Sequence, residues 1–483
     1  MSKFVSNVIK LGSATLLGQI LGIMVTPILT RLYLPEDFGI FQLFFSIVGL
    51  IAIISCLSYD SAIQLPKNDE DAANIVILCI ILIFITTFLT TIFLFFFSSN
   101  IEQIMNTPGL STYLIFLPLA IISISVSIVL VSWLARKDEF GTIAKANLYS
   151  SISGKAVSLG YGFISPSPFG LILGTIINDA TIAIISLRKI KFGSHFSEKL
   201  SFEKIKELAI RYKKFPQYNT GANLAGSAAV QIIPILLAFL FSTVVVGYYA
   251  IAYTIMILPS KLVGNSISSV FYRKACEEKN LTGSIHNVVK AVHTRLISIG
   301  IFSCLIIMII GPELFKFALG PQWETAGVYA QIMAPWIFVT FISTPLRSIF
   351  NVLEMQGANF WFNFSQFITR IVVLLISGIF GNPTLGLILL SGTGVIFWSW
   401  MNMFLLKSAG VSIHDAVLEI FQYLLFGLLI CLPLIIAKYF SAPSLFLIVI
   451  ALALSILYYA IIFSRDPQLK NGMMNSLKNI LGK

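Results

Sequence analysis

Long apolar runs alternate with short polar segments along the whole chain. Fourteen runs stand out, at about 11–30, 40–65, 74–97, 112–134, 146–164, 169–187, 218–240, 247–270, 296–311, 326–350, 359–379, 385–405, 416–437 and 443–463. A helix needs about 20 apolar residues to cross a hydrocarbon core. The pattern therefore predicts an all-α polytopic membrane protein of about 14 transmembrane helices. Pro27, Pro118, Pro234, Pro259, Pro335 and Pro345 fall inside runs, where they predict kinks rather than breaks.

Composition agrees with the pattern. Of 483 residues, 57% belong to the apolar set and 11% are charged, against about 25% charged in soluble domains. Mean hydropathy is +0.91. That much apolar surface excludes a soluble enzyme and a disordered chain.

The net charge of +11 invites a nucleic-acid reading, but the position of the basic residues argues for membrane orientation instead. With the N-terminus inside, 25 of the 32 Lys and Arg fall in the segments on that side. Only Arg31, Lys316 and Lys438 fall opposite. The asymmetry predicts both termini on the cytoplasmic side, with the lipid bilayer and no nucleic acid as partner. The most basic segment, 188–217, carries nine Lys/Arg and three Glu. It reads as a basic cytoplasmic linker with a short amphipathic helix.

That linker divides the first twelve runs into six and six. Gly170-Leu171-Ile172-Leu173 returns as Gly386-Leu387-Ile388-Leu389, and Asn147 as Asn363, both at an offset of 216. Pro27-Ile28-Leu29 precedes Phe38-Gly39-Ile40-Phe41, as Pro234-Ile235-Leu236 precedes Val246-Gly247-Tyr248-Tyr249. The expected organisation is an N-terminal six-helix lobe (1–187), the linker (188–217), a pseudo-symmetric six-helix lobe (218–406), and two extra helices with a cytoplasmic tail (407–483). Lobes repeated in the same orientation place a substrate site between them near the midplane.

The candidate site follows from polar residues inside the runs. A charge at the bilayer centre costs about 2.5–3.5 kcal/mol on insertion scales, so such residues usually serve function. Arg31, Lys155, Lys261, Arg347 and Arg370 supply cations, and Asn147, Asn363 and Gln366 share helix faces with them. Asp60 and Asp179 are candidates for coupling or charge pairing, Asp60 with Lys261 across a cavity. Cations outnumber carboxylates, which suits an anionic, hydrogen-bonding ligand such as a phosphate carrying sugars. Further polar faces read from the spacing are Asn219, Asn223, Ser227 and Gln231, then Thr340, Ser343 and Thr344, then Asn265 and Ser268.

No P-loop, GxSxG or HExxH motif is present, and no catalytic residue is expected. The five cysteines are scattered, and His195, His286, His293 and His414 read as lying in or beside loops. Neither metal, disulfide nor cofactor is expected.

The stretch Leu17–Ile75, with Pro27, Thr30-Arg31-Leu32-Tyr33, Pro35, Phe38-Gly39, Tyr59-Asp60, Ala62-Ile63 and Leu65-Pro66, resembles the opening of bacterial polysaccharide-biosynthesis flippases. These belong to the multidrug/oligosaccharidyl-lipid/polysaccharide exporter superfamily. The resemblance implies a non-enzymatic two-lobe transporter of the cytoplasmic (inner) membrane. It implies alternating-access translocation of undecaprenyl-diphosphate-linked oligosaccharide units of O-antigen, capsule or exopolysaccharide. It also implies a polysaccharide polymerase and a chain-length regulator as partners, and a cationic cavity that Arg31, at a span end, and the span cations Lys155, Lys261, Arg347 and Arg370 could line. The alternative is a multidrug/cation antiporter of the same superfamily, whose signature would be acidic cavity residues.

Overall fold

A computed structural model describes residues 3–190, 201–353 and 355–465, with side chains from residue 18 onward except those of 262–270, 351, 356 and 465. Among these residues all regular secondary structure is helical. Residues 191–200 of the basic linker with His195, the side chains of Asn265 and Ser268, and the tail beyond 465 lie outside the described residues.

The first part of the chain forms α1 (Lys3–Leu32), α2 (Pro35–Ser55), α3 (Tyr59–Ala62), α4 (Asp69–Ile104), α5 (Leu110–Leu114), α6 (Leu117–Arg136), α7 (Phe140–Ile164) and α8 (Pro168–Lys189). The linker supplies α9 (Phe202–Arg211) and a π-helical turn, Phe215–Asn219, that leads into α10 (Thr220–Leu240). Then come α11 (Thr243–Thr282), α12 (His286–Leu319), α13 (Glu324–Ser343), a 3-10 turn (Pro345–Ser348) and α14 (Ile349–Val352). The chain closes with α15 (Gln356–Ile379), α16 (Pro383–Ser408), α17 (Ile413–Tyr439) and α18 (Ser444–Arg465).

Among the described residues, twelve helical segments are long and apolar enough to cross a membrane, and Gly18–Leu32 adds a shorter apolar stretch. The chain is a multi-pass membrane protein. Residues 146–164 do form a helix within the 25-residue α7. Lys145, Asn147, Ser150, Ser151, Ser153, Lys155 and Ser158 leave it too polar to be among the twelve.

Several expected runs are broken differently. The run at 40–65 ends at Ser55, because Leu57 (φ 49°) and Ser58 (φ 59°) take left-handed backbone before α3 begins. Neither is a glycine, so the position is strained. The run at 326–350 stops at Ser343 and passes through the 3-10 turn that holds Arg347. The polar segment 271–295 is mostly helix, since α11 runs on to Thr282 and α12 starts at His286.

The described helices pack into two compact units. Unit 1 comprises Met1–Ile251 and Asn363–Gly386; unit 2 comprises Ala252–Phe362 and Leu387–Lys483. In a membrane, close helix packing depends on small residues and interhelical hydrogen bonds. In unit 1, a Cβ on Gly154 of α7 would stand 2.6 Å from Gly174 O of α8. Ser153 Oγ lies 2.9 Å from Thr181 Oγ1 across the same pair. Ser151 Oγ donates to Gly18 O of α1 at 3.0 Å, and the buried Tyr33 hydroxyl donates to Ser158 O at 2.6 Å.

Some close approaches recur at the offsets found between matching sequence segments. A Cβ on Gly162 would stand 2.7 Å from the Tyr33 ring, and one on Gly378 would stand 2.7 Å from the Leu240 side chain. Gly378 is Gly162 moved by 216 positions, and Leu240 is Tyr33 moved by the 207 that separates Pro27 from Pro234. Gly170 packs on Tyr161 as Gly386 packs on Ser377, again 216 apart. Thus α10 meets α15 as α1 meets α7.

In unit 2, α12 kinks at Ile310 (φ −122°) just before Pro312. Proline has no N–H for the carbonyl four residues back, which is that of Met308. Gln331 Nε2 of α13 donates to Met308 O at 2.8 Å. Gly311 and Gly327 allow the two backbones this approach, with each glycine's missing Cβ pointing at the other's carbonyl oxygen. From α18, Tyr458 and Tyr459 donate to Ser298 O and Ile299 O at 2.8 and 2.9 Å.

Candidate functional site

Unit 1 holds eight of the ten residues expected at the site. The contacts Gly18–Ser151 and Tyr33–Ser158 run α1 and α7 in the same direction, so Lys155 falls at a level between Gly18 and Tyr33. Lys155 is half-buried. Among the described residues it has no ion-pair partner. Asn147, half-buried two turns earlier on α7, presents its backbone carbonyl to Ser150 Oγ at 3.0 Å. Arg31 ends α1 in an exposed position, and its Nη1 donates to Pro27 O at 2.9 Å. There it also meets the negative end of the helix dipole.

The two span carboxylates do not neutralise these cations. Asp60, in the short α3, accepts from the Cys56 thiol at 3.4 Å. Asp179, on α8, accepts from its neighbour Asn178 at 3.2 Å. Neither is paired with a cation among the described residues.

Arg370 has a different environment from Lys155. On α15 it is buried, and its Nη1 donates to Ala229 O of α10. Ala229 immediately precedes Val230, whose carbonyl loses its intrahelical donor at Pro234. Gln366, one turn before Arg370, is also buried, and its Nε2 meets no acceptor among the described residues. Asn363 is half-buried at the start of this segment. The repeat makes Gly22 the counterpart of Ala229, 207 positions earlier. Gly22 O is taken by Thr26 Oγ1 at 2.8 Å. The arginine is thus bonded to backbone, and the lysine in the other half is not given the same acceptor.

Unit 2 holds the other two. Lys261 is exposed on α11, shortly after Pro259. Arg347 is half-buried in the 3-10 turn, where Nη2 donates to Asn359 Oδ1 at 2.9 Å. Its guanidinium stands 5.8 Å from the centre of the Trp398 ring, within cation–π reach. Asp60 and Lys261, expected as a pair, belong to different units.

Some polar faces bind helices together. Asn223 Nδ2 and Thr220 Oγ1 donate to Ser58 Oγ at 3.4 and 3.1 Å, and Ser46 Oγ donates to Gln231 Oε1 at 3.3 Å. These bonds hold α10 against α2 and the left-handed turn after it. Thr340 and Thr344 donate to carbonyls of their own turn.

One buried polar chain was not expected from the sequence. His293 is not beside a loop but inside α12, 1% exposed. Its Nε2 lies 3.1 Å from Asn402 Oδ1, and Asn402 Nδ2 donates to Ser343 Oγ at 3.1 Å. Ser343 donates onward to Val339 O at 2.7 Å. A carbonyl can only accept, so the chain has one direction, and His293 Nε2 carries the hydrogen. In the sequence, Lys290 and Arg295 flank His293 and give the stretch a polar character.

All five cysteines are free thiols, four of them buried. Among the described residues no cluster of His, Cys, Asp and Glu could hold a metal ion.

Residues 28–328 match the model of a family described as polysaccharide biosynthesis protein. No curated protein is matched by the sequence. A lipid II flippase, MurJ, in an inward closed conformation shares the fold, with TM-score 0.69 and 16% identity over 94% of this chain and 99% of that one. An inward-facing multidrug resistance MATE transporter of the MOP superfamily follows, with TM-score 0.56 and 14% identity over 82% and 96% of the two chains. A MOP-superfamily transporter from Pyrococcus furiosus Vc1, described as having a binding pocket of reversed polarity, gives 0.51 and 14% over 83% and 95%.

Proposed function

The chain belongs to the polysaccharide biosynthesis protein family and has the fold of a MOP-superfamily transporter, and from that premise we propose that it flips undecaprenyl-diphosphate-linked oligosaccharide units between leaflets of the bacterial inner membrane. The units would be those of O-antigen, capsule or exopolysaccharide, moved by alternating access without chemistry on the substrate. A polysaccharide polymerase and a chain-length regulator would act after it.

The observation that carries this reading is Lys155, a half-buried cation on α7, the helix whose Gly154 packs on Gly174 of the membrane span α8, without an ion-pair partner among the described residues while Asp60 and Asp179 bond to other groups. An uncompensated cation at membrane depth is retained for a ligand of opposite charge. A diphosphate offers that charge together with oxygens that accept hydrogen bonds. Arg31, in the same unit, and Lys261 and Arg347, in the other, are further candidates for the headgroup. Asn147, Asn363 and Gln366 have the amide chemistry for sugar hydroxyls.

The test is surface glycan display in a strain lacking its own flippase, with protein level checked by blot. A charge-assisted hydrogen bond is worth roughly 1.5–3 kcal/mol, so Lys155→Ala should lower display by one to two decades at unchanged protein level, and Lys155→Arg should restore most of it. Wild-type display from Lys155→Ala would overturn the assignment of this residue. Raised drug tolerance without glycan display would favour the antiporter reading.

A further inference from the structure

We propose that α9 and the turn after it form a docking surface for the anionic headgroups of the bilayer that holds the protein. The inference uses only the chain's membrane location and goes beyond the transport reading. One side of α9 is committed to unit 1. Ile205 and Leu208 are buried, Leu208 within a core shared with Ile63, Ile75 and Trp133. Tyr59 donates its hydroxyl to Ala209 O at 2.9 Å. Lys204 pairs with Asp71 at 3.1 Å, and Ser201 N donates to Asn74 Oδ1 at 3.4 Å.

Those anchors set the level of the helix. Asp71 and Asn74 lie in the first two turns of α4, a 36-residue membrane span. The helix is therefore held beside the mouth of a span, at the bilayer's edge.

Its other side is unusual for a solvated surface. At about 100° per residue, Phe202, Lys206 and Ile210 fall within an arc of about 80°. Phe202 is 79% and Ile210 57% exposed. Lys206 is exposed between them, and Lys213 and Lys214 are exposed in the turn that follows. Glu203 borders this arc about 20° beyond Ile210 and Glu207 lies about 60° beyond it, so the basic side of the face is Lys206 with Lys213 and Lys214. Large apolar groups framed by lysines match a headgroup layer: rings and aliphatic chains enter, and ammonium groups meet phosphates. An aqueous surface gives no reason for Phe202 and Ile210, and a neutral lipid surface gives none for the lysines.

The full chain, with Cys276→Ser and a single NBD-labelled cysteine at Lys206→Cys, is placed in nanodiscs of phosphatidylcholine alone or with one-third phosphatidylglycerol. Quenching by nitroxide-bearing lipid is then read. Each lysine at a charged surface is worth about fivefold in occupancy. The phosphatidylglycerol-dependent quenching should therefore fall more than about tenfold in Lys213→Gln/Lys214→Gln. It should also fall when salt rises from about 0.1 to about 1 M, which shortens the screening length from about 10 to 3 Å. A label at Glu207→Cys should be quenched less in every disc. Equal quenching in both lipid compositions, indifference to the lysines and to salt, or equal quenching at 206 and 207 would each overturn the proposal. A probe at 206 that no lipid quenches would also overturn it, and would leave the face to an acidic protein segment.

Discussion

Gly39 and Gly247 stand at each other's helix entrances. A Cβ on Gly39 would collide with Thr243 O at the start of α11, and a Cβ on Gly247 would collide with Pro35 O at the start of α2. Each glycine lies four residues after the carbonyl that its counterpart abuts. The two positions come from the matching segments of the sequence, Pro27–Phe41 and Pro234–Tyr249.

Gly39→Ala and Gly247→Ala should therefore each destabilise the protein by about 1–3 kcal/mol, because the obstructing atoms are backbone and cannot turn aside. Gly160→Ala, where nothing lies within 4 Å of the new methyl, should be tolerated. Thermal unfolding of the detergent-solubilised chain distinguishes them. Equal midpoints for Gly39→Ala and Gly160→Ala would show that the helices part freely here.

Tyr33 explains why Gly162 and Gly170 are glycines. A methyl on Gly170 would strike the Tyr33 hydroxyl and come 2.8 Å from the Tyr161 ring. Tyr33→Phe should cost about 1 kcal/mol for the lost bond to Ser158 O. In the Gly170→Ala background the same change should recover part of the loss. A double mutant as unstable as the sum of the two singles would deny the contact.

Arg370→Ala and Lys155→Ala should fail in different ways. Removing Arg370 deletes a buried charged donor to Ala229 O, and should lower stability by about 1.5–3 kcal/mol. Removing Lys155, which has no ion-pair partner among the described residues, should leave the unfolding midpoint unchanged and impair transport. An unchanged midpoint for Arg370→Ala would show that the bond contributes nothing to stability.

Orientation is open to a chemical test. Pro166→Cys and Asn382→Cys, both at exposed positions, should react with an impermeant thiol reagent applied outside cells. Asn280→Cys should react only after lysis. The reverse result would invert the topology drawn from the positive charges.

The spans were legible because twenty apolar residues have few fates other than a membrane helix. Glycines such as Gly39 and Gly247 stand out in the sequence for a physical reason, since a backbone atom occupies the place of their Cβ. What stayed hidden was set by long-range contacts. Leu57 and Ser58 carry no turn signal, and their left-handed backbone is supported by Thr220 and Asn223 from a segment 162 or more positions away. The polar face of α10 looked like a cavity lining, because hydroxyls and amides that join helices cannot be told by spacing from those that bind ligands. Lys155 and Arg370 follow the repeated Asn147 and Asn363 by eight and seven residues, and that spacing does not tell their roles apart. Only the structure shows that Arg370 bonds to Ala229 O, in the turn before Pro234, and that Lys155 has no such bond among the described residues.

Unit 1 is completed by Asn363–Gly386, a segment that follows the whole of Ala252–Phe362 in the chain. A ribosome adding about 5–20 residues per second makes that interval last about ten seconds. Through it, α10 is already synthesised while the partner that brings Arg370 to Ala229 and Gly378 to Leu240 has not left the tunnel. The first unit to begin thus waits on the second. A nascent chain stalled before residue 363 should hold α10 in the bilayer with Ala229 O lacking its arginine and the Val230 carbonyl, which Pro234 leaves without a donor, still open to lipid, to water or to the insertion machinery.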